Sequence, residues 1–395
     1  MTQYRGTYIS SGTNIHLPKL YAIVLGVLYS SGLVLPWLLP SLITQAFKPF
    51  AIFICLLILL IWKVKLRIGF IQIIAIYSVI YYTAILIGHG ITGASLIEYV
   101  STTLYMLMFL FSTIIYFNAK SVKLIMNSVF IASLTFAIIV AVSNPIIGTT
   151  GRTSLGFLYT TVNGNLIPYA ILPGLVIGIQ ALLFGNKYKN FWTLVAIFIM
   201  SYSLFMPATR GAFLCLLAVV ILSIYRILIQ LMKKRRFTSI FGLGIVLIGI
   251  VIITIQYLPD SISMRLFDFR SYTDTSSRTE IYNASWNLAQ ENLWFGNGFD
   301  ALSSLNIGHT HNTYLEVLVY TGIIGVGMLI TIIVSLLLKM RQSLLYAFLA
   351  ISVVESMVET GGAYTFWIPI IIATILSDHC KKENYKVEQF YHDNF

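Results

Sequence analysis

The residues from Ile68 to Ile87 form an unbroken stretch without one charged side chain. Wound as an α-helix, about 20 residues extend about 30 Å, the thickness of a bilayer's hydrocarbon core. Runs of this kind recur along the whole 395-residue chain. In a bilayer no water satisfies the backbone, so a spanning segment must be a helix or part of a closed barrel. The runs here are continuous rather than alternating with period two, which selects helices. Composition agrees: 58% of residues are hydrophobic and 10% charged, where a soluble domain carries roughly 25% charged. The fold class read from these runs is an all-α polytopic membrane protein.

About twelve spans of bilayer length or a little less can be placed. They are Leu20–Ile43, Ala46–Trp62, Ile68–Ile87, Tyr99–Phe117, Leu124–Val142, Leu166–Phe184, Phe191–Met206, Ala212–Leu231, Ile240–Tyr257, Thr313–Leu338, Leu344–Met357 and Tyr364–Leu376. Pro36 and Pro40 interrupt the first, which can also be read as two short helices, and Gly361-Gly362 joins the last two. The organisation is therefore residues 1–257 with nine spans, residues 258–312 as a polar loop, and residues 313–395 with three spans and a tail. Cys55, Cys215 and Cys380 show no metal-site spacing, and neither a disulfide framework nor a cleavable signal peptide is expected.

Basic residues orient the chain. Lys63–Arg67, Lys120, Lys123, Lys187, Lys189, Lys233–Arg236, Lys339, Arg341 and both terminal arms fall on alternate connections. By the positive-inside rule these connections and both termini are cytoplasmic. The net charge of +11 is thus mostly a topology signal. Nucleic-acid binding is not expected, because the basic residues are scattered through short loops rather than gathered on one solvated surface.

All but six of the 25 basic residues obey this rule. The six are Lys48, Arg152, Arg210, Arg265, Arg270 and Arg278, and five of them are arginine. A guanidinium holds phosphate through a planar fork and keeps its charge at any relevant pH. An outward set of arginines therefore points to an anionic ligand, with phosphate the natural candidate. Taken singly, each could equally be a residue snorkelling to the headgroups. Arg210 opens "RGAFL" between two spans joined by almost no loop, and Arg152 lies in "GRTSLGF".

The polar loop carries "SSRTEIYNASWNLAQENLWFGNGF". Ser277 and Glu280 form a capping-box pattern that starts a helix near Arg278. Ile281, Ala284, Ser285 and Leu288 form one stripe, with Tyr282, Trp286 and Leu293 as a second, and Gly296 and Gly298 stop it. This is a short amphipathic helix, suited to the membrane interface or to packing on the bundle. The loop ends in "GHTHNTYLE". His309 and His311 lie where the next span begins. A His-x-His pair can bind zinc or copper, but neither a cysteine nor a His-Glu-x-x-His pattern accompanies it, so no metal is expected. Either histidine can also be read as an interfacial cap. Imidazole is the side chain best suited to proton transfer near neutral pH.

His311-Asn312, nine residues, then Gly322-Ile-Ile-Gly325 resembles the signature of bacterial O-antigen ligases, as Arg210-Gly-Ala-Phe-Leu214 resembles that family's Arg-x-x-x-Leu motif. The Arg278 segment, ending in Gly-x-Gly, and the Arg152 segment are similar to its outer-loop arginine segments. The likeness in order and spacing runs from about Arg152 to Val326.

The resemblance implies a GT-C-like, metal-independent, inverting glycosyltransferase without a cofactor in the bacterial inner membrane. Its donor would be a glycan on undecaprenyl diphosphate at the periplasmic face. Its acceptor would be a sugar hydroxyl of the lipid A core, among surrounding membrane lipids. Arg152, Arg210 and Arg278 would hold the donor diphosphate, and His311 would act on the acceptor hydroxyl. His309, Asn312, Glu316 and Arg265 are possible supporting residues, and which imidazole acts stays open. An O-antigen polymerase would use a second lipid-linked glycan as acceptor. A protein O-glycosyltransferase fits less well, for want of a sizeable outer soluble domain. A transporter or flippase would place ionisable residues at mid-membrane, where Glu355 and Glu359 are the only candidates.

Overall fold

The computed structural model describes residues 17–38, 41–61, 66–143, 145–147, 153–156, 161–162, 166–185, 190–205, 210–233, 278–340, 345–358, 364–383 and 386–394. The ninth expected span, Ile240–Tyr257, lies outside these, as do Ser277, Glu359 and Gly361-Gly362. The helices are α1 (Leu17–Leu38), α2 (Ser41–Ile61), α3 (Phe70–His89), α4 (Gly93–Thr113), α5 (Ala119–Val142), α6 (Leu166–Phe184), α7 (Asn190–Phe205), α8 (Arg210–Lys233), α9 (Arg278–Glu291), α10 (Ala301–Ser304), α11 (Thr313–Lys339), α12 (Tyr346–Val358), α13 (Tyr364–Glu383) and α14 (Val387–Asn394). Among the described residues five helices, α3, α4, α5, α6 and α11, are long and apolar enough to cross a membrane, and several shorter apolar helices accompany them. The chain is a polytopic membrane protein, and its described residues are almost wholly helical.

Local chemistry sets the boundaries. The first apolar run continues as helix through Pro36 to Leu38, and α2 opens at Ser41, just past Pro40. α4 begins at Gly93, ahead of the expected Tyr99, because Thr92 caps it. The Ser95 N–H donates to Thr92 Oγ1 at 3.0 Å, and the Thr92 N–H donates back to Ser95 Oγ at 2.8 Å. Asn118 caps α5 through the Ser121 N–H at 2.9 Å, which turns the basic connection "NAKSVK" into a helix start. The departure from an all-helical chain is small. β1 (Pro145–Ile147), β2 (Thr153–Gly156) and β3 (Thr161–Val162) form an antiparallel sheet between α5 and α6, in the connection between the expected spans Leu124–Val142 and Leu166–Phe184. Ile, Thr and Val dominate its pairing positions.

Helix α6 is apolar all round and occupies the centre, packed by α5, α7, α8, α12, α13 and α14. Lipid tails are as apolar as leucine, so close backbone approach and hydroxyl bonds must hold such helices together. Gly174 on α6 allows it: a Cβ there would lie 2.3 Å from Ser133 Cβ. Nearby, Ser133 Oγ donates to Ala170 O at 2.9 Å. Ser30 on α1 reaches Ser128 O on α5 at 3.0 Å, and Ser203 on α7 reaches Ala137 O at 2.7 Å.

The bundle has two chemically distinct ends. At one, Asp378 of α13 pairs with Arg67 at 3.1 Å and Lys339 at 2.7 Å. Arg226 of α8 pairs with Glu388 of α14, whose Val387, Phe390 and Tyr391 are buried. Lys382 stands over the Tyr116 ring at 3.6 Å. Arg67, Arg226, Lys339 and Lys382 all come from the set that the charge rule assigns to one face. The opposite end carries α9, α10 and the histidines.

Candidate functional site

Helix α9 packs on α11. Ser285 and Ala289 are its buried positions, so its contact face is small and the backbones approach closely. Trp286 and, beyond the helix, Trp294 and Phe295 stay exposed, as aromatic rings at a membrane–water boundary do.

What docks this unit is a break in α11. Gly322 has φ 67° and ψ −169°, which opens the helix by one residue. The carbonyls freed by the break are taken up by the Gly-x-Gly turn that follows α9. Asn297 N–H donates to Val319 O at 2.7 Å and Gly298 N–H to Tyr320 O at 3.2 Å; in return Ile323 N–H donates to Leu293 O at 2.9 Å. Main chain lies directly on main chain here. A Cβ on Gly322 would sit 2.3 Å from Trp294 O, and one on Gly296 2.4 Å from Thr321 N. Gly325 leaves the space that the Thr321 hydroxyl fills. The Gly-x-x-Gly pair is thus the socket for the polar loop. Phe299 completes the anchorage. It is buried against Tyr82, Tyr99 and Tyr320, with ring centroids 6.1, 5.6 and 5.5 Å away.

The histidine segment follows. Asn312 caps α11, its Oδ1 accepting the Leu315 N–H at 3.0 Å. His311, just before the cap, has φ 54°, a left-handed backbone uncommon for a residue with a Cβ. The His311 carbonyl accepts from Tyr282 Oη on α9 at 3.3 Å. Thr310 is fully buried and spans the turn: its Oγ donates to Asn312 O at 2.7 Å and accepts the Asn312 N–H at 3.2 Å.

His309 goes elsewhere. Its side chain is half exposed and its Nδ1 lies 3.9 Å from Oε2 of Glu316, a carboxylate buried in the first turn of α11. The same oxygen receives the Thr310 N–H at 3.3 Å. Glu98 of α4 is close enough for its charge to act on both His309 and Glu316. Below Glu316 a cavity of about 20 Å³ lies among Thr102, Thr313, Tyr320 and Trp367, room for about one water. Among the described residues no group of three or more His, Cys, Asp or Glu is arranged to hold a metal ion.

The arginines divide. Arg278 opens α9 and is partly exposed. It lies one turn before Tyr282, the residue that bonds the His311 carbonyl, on the same helix face. Arg210 is the first residue of α8. That helix packs on α12, where Cys215 Sγ lies 4.0 Å from Ile351 O. A turn further along α12, Ser356 Oγ donates to Tyr314 Oη, on the first turn of α11, at 3.0 Å. Helix α12 thus touches both α8, at Cys215, and the first turn of α11. Arg152 and Arg265 lie outside the described residues, as does the side chain of Arg210.

Sequence reasoning missed Thr310, Glu98 and the break at Gly322. Glu98 had a signal: it is one of only 14 acidic residues and stands at the edge of an apolar run. Thr310 had none.

Residues 195–330 match the family model described as O-antigen ligase. The match covers about a third of the chain and takes in Arg210, Arg278, both histidines and the Gly322–Gly325 socket. The resemblance read from the motifs is borne out over that stretch. No curated protein and no solved structure matches the chain.

Proposed function

We propose, from the premise that residues 195–330 are a segment of the O-antigen ligase family, that this chain is a membrane glycosyltransferase of the ligase type. Its donor is a glycan on undecaprenyl diphosphate, its acceptor a sugar hydroxyl of the lipid A core, and its site is the periplasmic end of the bundle. The observation that carries this reading is the turn at His311. It fixes one imidazole-bearing residue at the mouth of α11, beside the α9 face that begins with Arg278.

The chemistry is a single displacement. His311 takes the proton of the acceptor hydroxyl as that oxygen attacks the anomeric carbon. The new C–O bond forms as the bond to the diphosphate breaks on the opposite face, so the configuration inverts. Undecaprenyl diphosphate leaves with the electron pair. Arg152, Arg210 and Arg278 neutralise the developing charge with preorganised guanidinium donors, Arg265 adds positive charge to the same loop, and His309, Asn312 and Glu316 hold the turn.

The test is reconstitution of the purified protein with lipid-linked glycan and lipid A core, read by mass spectrometry. Glycosylated core is the expected product. Lengthening of a second lipid-linked glycan instead would make the enzyme a polymerase, and no new glycosidic bond with either acceptor would refute both. His311→Ala should slow transfer by about 10²–10⁴-fold, as loss of a general base does, with donor still bound. His309→Ala should lose far less.

A further inference from the structure

Glu316 is a carboxylate in a helix whose next 22 residues, Val317–Leu338, carry no charge. It is 6% exposed. Such a group is costly to bury unless hydrogen-bonded or paired. Among the described residues its partners come from the loop side: Thr310 N–H at 3.3 Å and His309 Nδ1 at 3.9 Å, with Thr310 Oγ, whose proton goes to Asn312 O, 3.4 Å away. Glu98 is the other charged group whose field reaches it. Thr310 in turn bonds Asn312 on both its N–H and its C=O, closing over His311 between them. A residue with a Cβ in the left-handed region costs about 1–2 kcal/mol, so something must hold His311 there.

We propose that Glu316 is a positioning residue, a buried carboxylate that grips Thr310 and His309 and so fixes the turn on which His311 is presented. The spacing of the two histidines then has a physical reason. The first histidine and the threonine bind the lock, and the left-handed backbone sends the next residue out of it. The lock itself rests only on geometry; its consequence for transfer rests on the role given above to His311.

The experiment pairs two readouts in the purified full chain. One is turnover, with kcat and donor KM measured separately. The other is the rate at which diethyl pyrocarbonate modifies His311, followed by peptide mass spectrometry, which needs no activity. Thr310→Ser keeps the bridging hydroxyl and should match the wild type in both. Thr310→Val and Glu316→Ala should lower kcat by about tenfold or more, within the scale of losing a positioned base, while donor KM changes little. Both should speed His311 modification several-fold. Glu316→Gln keeps an amide oxygen for the Thr310 N–H and should retain most turnover. Glutamine as damaging as alanine would overturn the proposal, because a group needed for its charge or its proton would then be at work. Unchanged His311 modification in Thr310→Val, a near-isostere that keeps the test valid should Glu316→Ala fail to fold, would overturn it as well. Faster modification with turnover intact would uphold the lock and refute the role given to His311.

Discussion

Replacing Gly322 by alanine tests how the polar loop is attached, independently of any activity. At φ 67° and ψ −169° only glycine is at ease, and another residue is strained by roughly 1–3 kcal/mol. The new Cβ would also stand 2.3 Å from Trp294 O, a contact with backbone that must shift. The alternative response is for α11 to close into a regular helix. That withdraws the Val319 and Tyr320 carbonyls and the Ile323 N–H from the turn at 293–298, ending three hydrogen bonds with a net worth of about 1 kcal/mol each. Either route costs about 2–3 kcal/mol, and the cheaper will be taken. At 1.4 kcal/mol per factor of ten, this weakens docking of the loop by roughly 30- to 140-fold. Hydrogen exchange in detergent reads it directly. The amides of Asn297 and Gly298, which lose their acceptors when the turn leaves α11, should exchange faster by about that factor, while the deeply packed amides of α6 keep their protection. Unchanged exchange at those two amides in Gly322→Ala would refute the assignment of the glycine pair as a socket.

Arg210→Lys should lose most transfer activity although the charge is kept, because a lysine ammonium has no bidentate fork; a fully active lysine variant would reduce Arg210 to a topological residue, and the wild type should keep its activity in EDTA. Single cysteines at Ser303 and Lys381 should react with a membrane-impermeant maleimide from opposite sides of the membrane; reaction of both from one side would overturn the orientation. Asp378→Ala leaves Arg67 and Lys339 without their shared carboxylate. Arg67 is 45% exposed and can turn to water, so we expect a loss of about 1–3 kcal/mol, below that of a fully buried pair. A thermal midpoint in detergent equal to wild type would show that the pairing is not structural.

The apolar helices that the structure describes were legible because apolar length is a local property, and so was α9, whose start near Arg278 and stop before Gly296-x-Gly298 follow from helix propensity and glycine chemistry. The break at Gly322 was not. Hydropathy runs through Tyr320–Val326 without interruption, and the helix opens there only because the 293–298 turn supplies partners from outside the run. Thr310 was illegible for a related reason. A threonine between two histidines in a polar loop reads as solvated, and only the arrival of Glu316 from the next helix makes it a buried bridge. Asp378 lies past the last apolar residue of its span, and its two cations come from connections 311 and 39 residues earlier in the sequence. The sheet at Pro145–Val162 is too short, with strands of two to four residues, to leave a period.

The seat of Phe299 among Tyr82, Tyr99 and Tyr320 has a consequence for distance. Those three rings belong to α3, α4 and α11, helices or their flanks whose apolar lengths set how deep the bundle sits in a bilayer. Because Phe299 and the backbone ladder at Gly322 tie the loop to these helices, the His311 turn is held at a fixed distance from them along the bundle. On the proposed reading, the donor's lipid tail likewise holds its headgroup at a fixed depth. Meeting it then becomes a search across a plane rather than through a volume.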